Sequence, residues 1–373
     1  MELNIAWITV RHWDDMCTTT TDALMRGLVE RGHTVTLFNS DSPEVHSDAP
    51  WHHVALGQSS VRGRKAASLA KHAQTWFATH PDDGFDVVLV DWPLAPVLGR
   101  SLSKRYRLVL IDRSPPADAT LLAKFQWRSW KKAWSMLKDG LFSEGLVVSK
   151  AHQAFVVEKT GAPTKRIFPV PAGVHLTAFE TTSMPENKIW QFVYHGRLDK
   201  HRGVLALPML MQRLTNDGFD VHLTLIGNGD AFDVLQTMAE RTPQLSVISS
   251  VPREEIPSHL QQHHIGLLPM PDSTVWSLAS PLKRSEYLAS GLLVFGVDHA
   301  GHRIEAKEDA WFRLAAQERF HEEASQWLEE LSSMATEELQ ACSRSSRSYA
   351  EHRCSWEGSV GLLEEVLQSS SEE

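Results

Sequence analysis

The sequence predicts an α/β protein of two Rossmann-like domains that face each other across a cleft. Three observations carry that expectation. The chain has 373 residues, and one hydrophobic core seldom grows past roughly 250–300 residues. Short continuous apolar runs alternate with amphipathic helical stretches, the pattern of a parallel sheet covered on both faces. That alternation then starts afresh in the second half, after a polar, Pro-containing stretch at 181–188.

The elements follow in order. LNIAWITV (3–10) is a first strand, and TTTTDALMRGLVERG (18–32) a helix with Ala23, Leu24, Leu28 and Val29 on one face and Gly32 as its stop. HTVTLF, FDVVLVD, RLVLID and GLVVS continue the first sheet, with a Pro-containing helical stretch after FDVVLVD. IWQFVYHG (189–196) opens the second sheet, followed by a helix ending at Gly218 and the strands of DVHLTLIGNG, LSVISS, HHIGLLPM and LLVFGVD. Residues 335–368 read as helical, with Leu339, Trp356, Val360, Leu363 and Leu367 in an apolar stripe and a polar, frayed tail behind them. The expected division is a first domain over 1–183, a second over 184–340, and a C-terminal helix over 341–373 returning to the first.

Composition narrows the function classes. Lys plus Arg is 37 and Asp plus Glu is 46, a net charge of −9. Nucleic-acid binding over a broad face needs the opposite balance. Cys17, Cys342 and Cys354 show no CxxC spacing, which suits free thiols in a reducing compartment. The N-terminus lacks a basic n-region and a small-residue cleavage site. No apolar run reaches the roughly 18 residues of a membrane span. The expected location is cytoplasmic, at most peripheral at the inner membrane face.

Ligands of open parallel sheets bind outside the carboxyl ends of the strands. A nicotinamide dinucleotide needs GxGxxG after a strand. Here the first strand runs into RHWDDM, without glycine, and LTLI runs into GNGDAF, with only the first two. Four other features point to a phosphorylated ligand. In HGRLDKHRG (195–203), Gly196 permits a tight turn, and Arg197 and Arg202 supply two guanidinium groups for phosphate oxygens. A solvated basic turn would read the same way. In SPLKRSEYLASG (280–291), Pro281 suits a helix start, and the N–H groups of Leu282 and Lys283 would meet an anion. Glu286 lies one turn on, where its carboxylate would accept from two ribose hydroxyls. The plainer reading is an amphipathic helix with an exposed glutamate. Gly227 and Gly229 let backbone approach a ligand, as does any Gly-rich turn. Pro252, in SSVPREEIP, opens a loop that would flank a nucleotide base.

The ordered set GRLDKHRG, LTLIGNGD, VPREEIPSHL, SPLKRSEYLASGLLVFGVD and CSW resembles the retaining GT-B glycosyltransferases of glycosyltransferase family 4. VSKAHQAFVVEKTGAPTKRIFPVPAGVHLTAF is similar to that family's segment at the end of the first domain. The resemblance covers most of the chain and is strongest over 145–305. It implies transfer of a sugar from a nucleotide-diphosphate sugar to an acceptor hydroxyl, with retention and without a metal or other cofactor. Arg197 and Arg202 would hold the donor diphosphate together with the amides of Leu282 and Lys283, and Glu286 would hold the ribose. The chain departs from the family at Leu278, where a second Glu is usual and Asp272 is the nearest upstream acid. It departs also at Arg11–Asp14 in place of a Gly-Gly loop, at Asp112 or Arg113 in place of a His, and at His175 in place of an Asp. These departures leave a second class open, a non-catalytic protein of this fold that binds a nucleotide or glycan.

The acceptor expected is a glycan or a lipid-linked glycan. Segment 120–138, TLLAKFQWRSWKKAWSMLK, is basic and tryptophan-rich inside an acidic chain. It fits a helix lying on an anionic membrane surface. It fits equally a first-domain helix whose Trp127, Trp130 and Trp134 enter the core while Lys124, Arg128 and Lys131 face water.

Overall fold

The computed structural model describes residues 1–15, 18–61, 63–116, 121–306 and 309–369, with side chains 121–123 left aside. Cys17, Thr120 and the tail beyond 369 lie outside the described residues, whereas Cys342 and Cys354 are free thiols. The chain divides into two compact units, Met1–Pro171 with Trp356–Glu373, and Ala172–Ser355.

The first unit holds strands β1 (Asn4–Ile8), β2 (Thr34–Asn39), β3 (His52–Ala55), β4 (Val87–Asp91), β5 (Arg107–Ile111), β6 (Glu144–Val147) and β7 (Ile167–Pro169). They form one parallel sheet in the order β3-β2-β1-β4-β5-β6-β7. Side chains alternate across it, as the two-residue period of a strand demands. Ala6, Ile8, Val88, Val90, Leu108 and Leu110 enter one core. Helices α2 (Lys65–Thr79), α3 (Ala95–Leu102), α4 (Leu121–Lys138) and α5 (Lys150–Thr160) cover that face. Ile5, Trp7, Val87, Leu89, Val109 and Ile111 enter the other core, under α1 (Thr18–Glu30). Both faces are dry, so the central strands read as continuous apolar runs rather than alternating ones.

The second unit repeats the plan with β8 (Trp190–His195), β9 (Val221–Ile226), β10 (Leu245–Ile248), β11 (Ile265–Leu268), β12 (Leu293–Val297) and β13 (Phe312–Ala315), all parallel, ordered β10-β9-β8-β11-β12-β13. Its helices are α6 (Ala206–Asn216), α7 (Phe232–Ala239), α8 (Ile256–Leu260), α9 (Thr274–Ser277), α10 (Leu282–Ala289), α11 (Phe320–Ser333) and α12 (Thr336–Arg353).

Two boundaries differ from those expected at 183 and 341. Residues 172–183 belong to the second unit because they bond into it. Ala172 N–H donates to Ser280 Oγ, Thr182 N–H to the Ser290 carbonyl, and Thr182 Oγ1 to the His263 carbonyl at 2.8 Å. Residues up to Ser355 stay with the second unit through α12, whose Ser346 Oγ donates to the Leu292 carbonyl. Only α13 (Trp356–Gln368) joins the first unit, adding Val360, Leu363, Val366 and Leu367 to the core beneath α1.

Helix α4 settles where its tryptophans go. Trp130 and Trp134 are fully buried, and their indole N–H groups donate to one oxygen of Asp112, at 2.5 and 2.9 Å. His152 Nε2 stands 3.4 Å from the same oxygen. A carboxylate with no exposure would be costly without these donors. Of the two readings of this helix, Trp130 and Trp134 follow the one that packs them into the core, and the exposed face of α4 carries Lys124, Phe125, Arg128, Lys131 and Lys132. The same bonds hold Asp112 inside the unit. Trp134→Phe is expected to lower stability by about 1–3 kcal/mol, the cost of leaving a buried acceptor short of a donor, read as a shifted urea midpoint. An unchanged midpoint would show that Trp130 and His152 suffice.

Candidate functional site

The second unit gathers its polar side chains at the carboxyl ends of β8 and β9. At the end of β8 the chain turns at Gly196, whose φ is 110°, and at the end of β9 it turns at Gly227, whose φ is 146°. Only glycine adopts these values without strain. The two turns are stitched together by the bond from Gly196 N–H to the Ile226 carbonyl at 2.8 Å, and from Leu198 N–H to the Asn228 carbonyl at 3.0 Å. A Cβ at Gly227 would strike the Gly196 carbonyl, and one at Gly229 would strike Leu198. Gly227 and Gly229 thus serve the close packing of the two loops, and Gly196 serves the turn itself.

Arg197 and Arg202 come together, on a partner that sequence reasoning missed. Asp199 accepts from Arg197 Nε at 3.2 Å and Arg197 Nη2 at 3.0 Å, and it lies 3.4 Å from Arg202 Nε. Burial pushes the Asp199 carboxyl up, but the Arg197 bonds, the Asp230 N–H and the Arg202 charge bring it below the ordinary carboxylate range. Arg197 is half exposed, whereas Arg202 is buried with its guanidinium 4.6 Å from the Trp276 ring. Arg202 is therefore the preset cation of the two, and Arg197 can swing on its exposed stem.

Helix α10 supplies the next groups. Pro281 precedes it with extended backbone, φ −74° and ψ 121°. Leu282 and Lys283 are its first residues, so their N–H groups have no acceptor inside the helix. Glu286 sits one turn in and is buried rather than exposed, with Oε2 3.1 Å from His195 Nε2. Burial raises its carboxyl, yet His195, Arg253 and Lys283 hold it below the ordinary range. His195 opens the HGRLDKHRG segment, and only the fold reveals that it meets a residue ninety positions on. Pro252 is exposed at the start of the turn 253–255, and what reaches the group from there is the charge of Arg253. Leu278 is buried, and Asp272 is exposed and accepts from the Ser277 hydroxyl. Among the described residues no group of three or more His, Cys, Asp or Glu is placed to hold a metal ion.

The first unit has its own cavity, of about 1140 Å³, at the carboxyl ends of β1, β4 and β5. Arg11, Gln58, Asp91, Trp92, Arg113 and Phe125 are among the residues that line it. Asp91 ends β4 and accepts from Thr9 Oγ1 at 2.5 Å and Val10 N–H at 3.3 Å. Burial nonetheless raises its carboxyl above the ordinary value, against the charges of Arg11 and Arg113. Of the two neighbouring positions, Arg113 lines this cavity, whereas Asp112 is buried under α4.

Comparison with known proteins bears on the family and the fold. A family model described as Glycosyltransferase Family 4 matches residues 18–178, and one described as Glycosyl transferases group 1 matches residues 190–331. No curated protein sequence matches the chain. Among solved structures, sucrose-phosphate synthase (tll1590) from Thermosynechococcus elongatus is similar with a TM-score of 0.76 at 14% identity, over 98% of each chain. Anabaena Alr3699/HepE, solved in complex with UDP, is similar with a TM-score of 0.72 at 13% identity, over 99% of this chain and 100% of that one. The catalytic domain of starch synthase IV from Arabidopsis thaliana, bound to ADP and acarbose, gives 0.72 at 9% identity, over 98% of this chain and 99% of that one. Two parallel-sheet units of this topology, each matched by a glycosyltransferase model, define the class: the chain is a glycosyltransferase of the GT-B fold. No described helix is long and apolar enough to cross a membrane.

Proposed function

We propose that the enzyme transfers a sugar from a nucleoside-diphosphate sugar to an acceptor hydroxyl with retention of configuration. The observation that carries this reading is the convergence of Arg197, Arg202, the first turn of α10 and Glu286 at one end of the second sheet. The diphosphate is held by the two guanidinium groups and by the N–H groups of Leu282 and Lys283, which offset the charge that builds as the glycosyl–phosphate bond loosens. Glu286, already ionised, accepts from the ribose hydroxyls, and His195 fixes its orientation. The UDP and ADP found in two proteins of this fold support a nucleoside diphosphate as leaving group. The acceptor, a glycan or lipid-linked glycan, is held by the first-unit cavity, where Asp91 meets a hydroxyl and Trp92 and Phe125 offer apolar faces to a sugar. A same-face attack lets the acceptor proton pass to a phosphate oxygen, so no protein nucleophile is required.

The test is a panel of nucleotide sugars incubated with the purified chain, with slow donor hydrolysis as the readout and NMR of the released anomer. Hydrolysis to the α-anomer from an α-donor is expected. Nucleotide binding without any turnover across the panel would favour a non-catalytic binding protein, the reading to which the buried Leu278 points.

Glu286→Gln is expected to lower affinity for ribonucleoside diphosphates by about 1.5–3 kcal/mol, the worth of a hydrogen bond to a charged group, with the circular dichroism unchanged. Paired titrations with ribo- and 2′-deoxyribonucleotides check it. If the variant discriminates between them as strongly as wild type, Glu286 does not touch the ribose.

A further inference from the structure

We propose that the side-chain ammonium of Lys283, and not its backbone N–H alone, is a third cation on the donor diphosphate. The inference rests on the donor-site reading above and goes beyond it. The resemblance supplies two cationic side chains and the amides of a helix start, and the Lys283 ammonium belongs to neither.

Three observations place it. Lys283 Nζ lies 4.8 Å from the Tyr194 ring centroid, over the end of β8 just before Gly196. A Cβ built at Gly196 would stand 3.5 Å from the same nitrogen, so the ammonium overhangs the loop that carries Arg197 and Arg202. Third, among the described residues Nζ makes no hydrogen bond and no ion pair, while Arg197 and Arg202 are paired on Asp199 and Glu286 on His195. An ammonium left over a ring face at the mouth of a phosphate-type loop retains its donors for an incoming anion.

The surroundings also make it a proton acceptor. Burial, with Arg202 adding to it and Glu286 opposing, pulls Lys283 down to about 7. The groups facing it are Tyr194 and His195 from β8, Arg202 from the turn beyond, Glu286 from its own helix, and His302 from the loop after β12. Tyr194 is raised to about 12, Glu286 is ionised, and burial keeps His302 neutral. A dianion bound against the ammonium favours its charged form. Free Lys283 is therefore mostly neutral above about pH 7, and bound Lys283 is protonated, so binding takes up a proton. Affinity must fall as pH rises through the window above 7, by up to about tenfold per pH unit.

The experiment is calorimetry on the full chain with UDP, ADP and GDP, at pH 8, in two buffers of different ionisation enthalpy. Wild type should take up most of one proton with whichever nucleotide binds. Lys283→Met should lose that uptake and about 10–100-fold in affinity, as for a charge-assisted phosphate contact. Lys283→Arg keeps the charge without titrating, so it should bind within a few-fold of wild type, with no uptake and a flat pH profile. Arg197→Ala should bind more weakly and still take up the proton. Uptake that persists in Lys283→Arg overturns the proposal, even if Lys283→Met fails to fold. So does wild-type binding without uptake. Failure of wild type to bind any of the three nucleotides instead overturns the donor site itself.

Discussion

Arg202→Ala is expected to weaken nucleoside-diphosphate binding by about 1.5–3 kcal/mol, the range for a hydrogen bond to a charged group. The effect should exceed that of Arg197→Ala. Arg202 is buried, its guanidinium lies against Trp276, and Asp199 holds it from one side. It loses little freedom when a phosphate arrives, so most of its Coulomb attraction survives as affinity. Arg197 is half exposed and already bonded through two nitrogens to Asp199. Reaching a phosphate requires it to leave those bonds, and solvent screens what it gains. Titration of each variant with the nucleotide that binds wild type is the check. Arg202→Ala within twofold of wild type would remove it from the diphosphate. Arg197→Ala as damaging as Arg202→Ala would mean that the Asp199 contact breaks on binding.

What the sequence disclosed and what it hid divide along a physical line. The central strands were legible because both faces of each sheet are covered, which forces unbroken runs such as VVLVD and LVFGV. β3 was not, since HHVA at the sheet edge is half exposed and carries no apolar run. The places of Arg197, Arg202 and Glu286 just past a strand end and one turn into a helix were legible because those positions are fixed locally. Asp199 was hidden in plain view between the arginines, since nothing local says that one carboxylate would take both. His195 beside Glu286, and Asp112 beneath Trp130 and Trp134, are pairings across the fold. The helical period of 121–138 marks an amphipathic helix but not which side meets the sheet. The buried Asp112 decides that, because two indole donors are what make its burial tolerable. The stretch 181–188 has the composition of a linker, yet Thr182 is buried through bonds to residues some eighty positions away.

Gly227→Ala should produce the other large effect, on stability and binding together. Gly227 has φ 146°, a value that L-residues avoid at a cost of order 1–3 kcal/mol. The added methyl would also strike the Gly196 carbonyl, which is backbone and cannot rotate aside as a side chain can. Relief requires the turn after β9 to move from the turn after β8. That motion breaks the bond from Leu198 N–H to the Asn228 carbonyl and the bond from Lys200 N–H to Asp230, at 3.0 and 2.7 Å. Those bonds hold the segment bearing Arg197, Asp199 and Arg202, so the arginines should lose their alignment even where the sheet survives. The expected result is a melting temperature lower by several degrees, with nucleotide binding lost at temperatures where the variant is still folded. Gly218→Ala is the control. Gly218 has φ 94°, but no atom lies within 4 Å of an added Cβ, and it ends α6 away from the loops. It should share the melting loss and keep the binding. If Gly227→Ala binds nucleotide as wild type does, the two turns are not what positions the arginines.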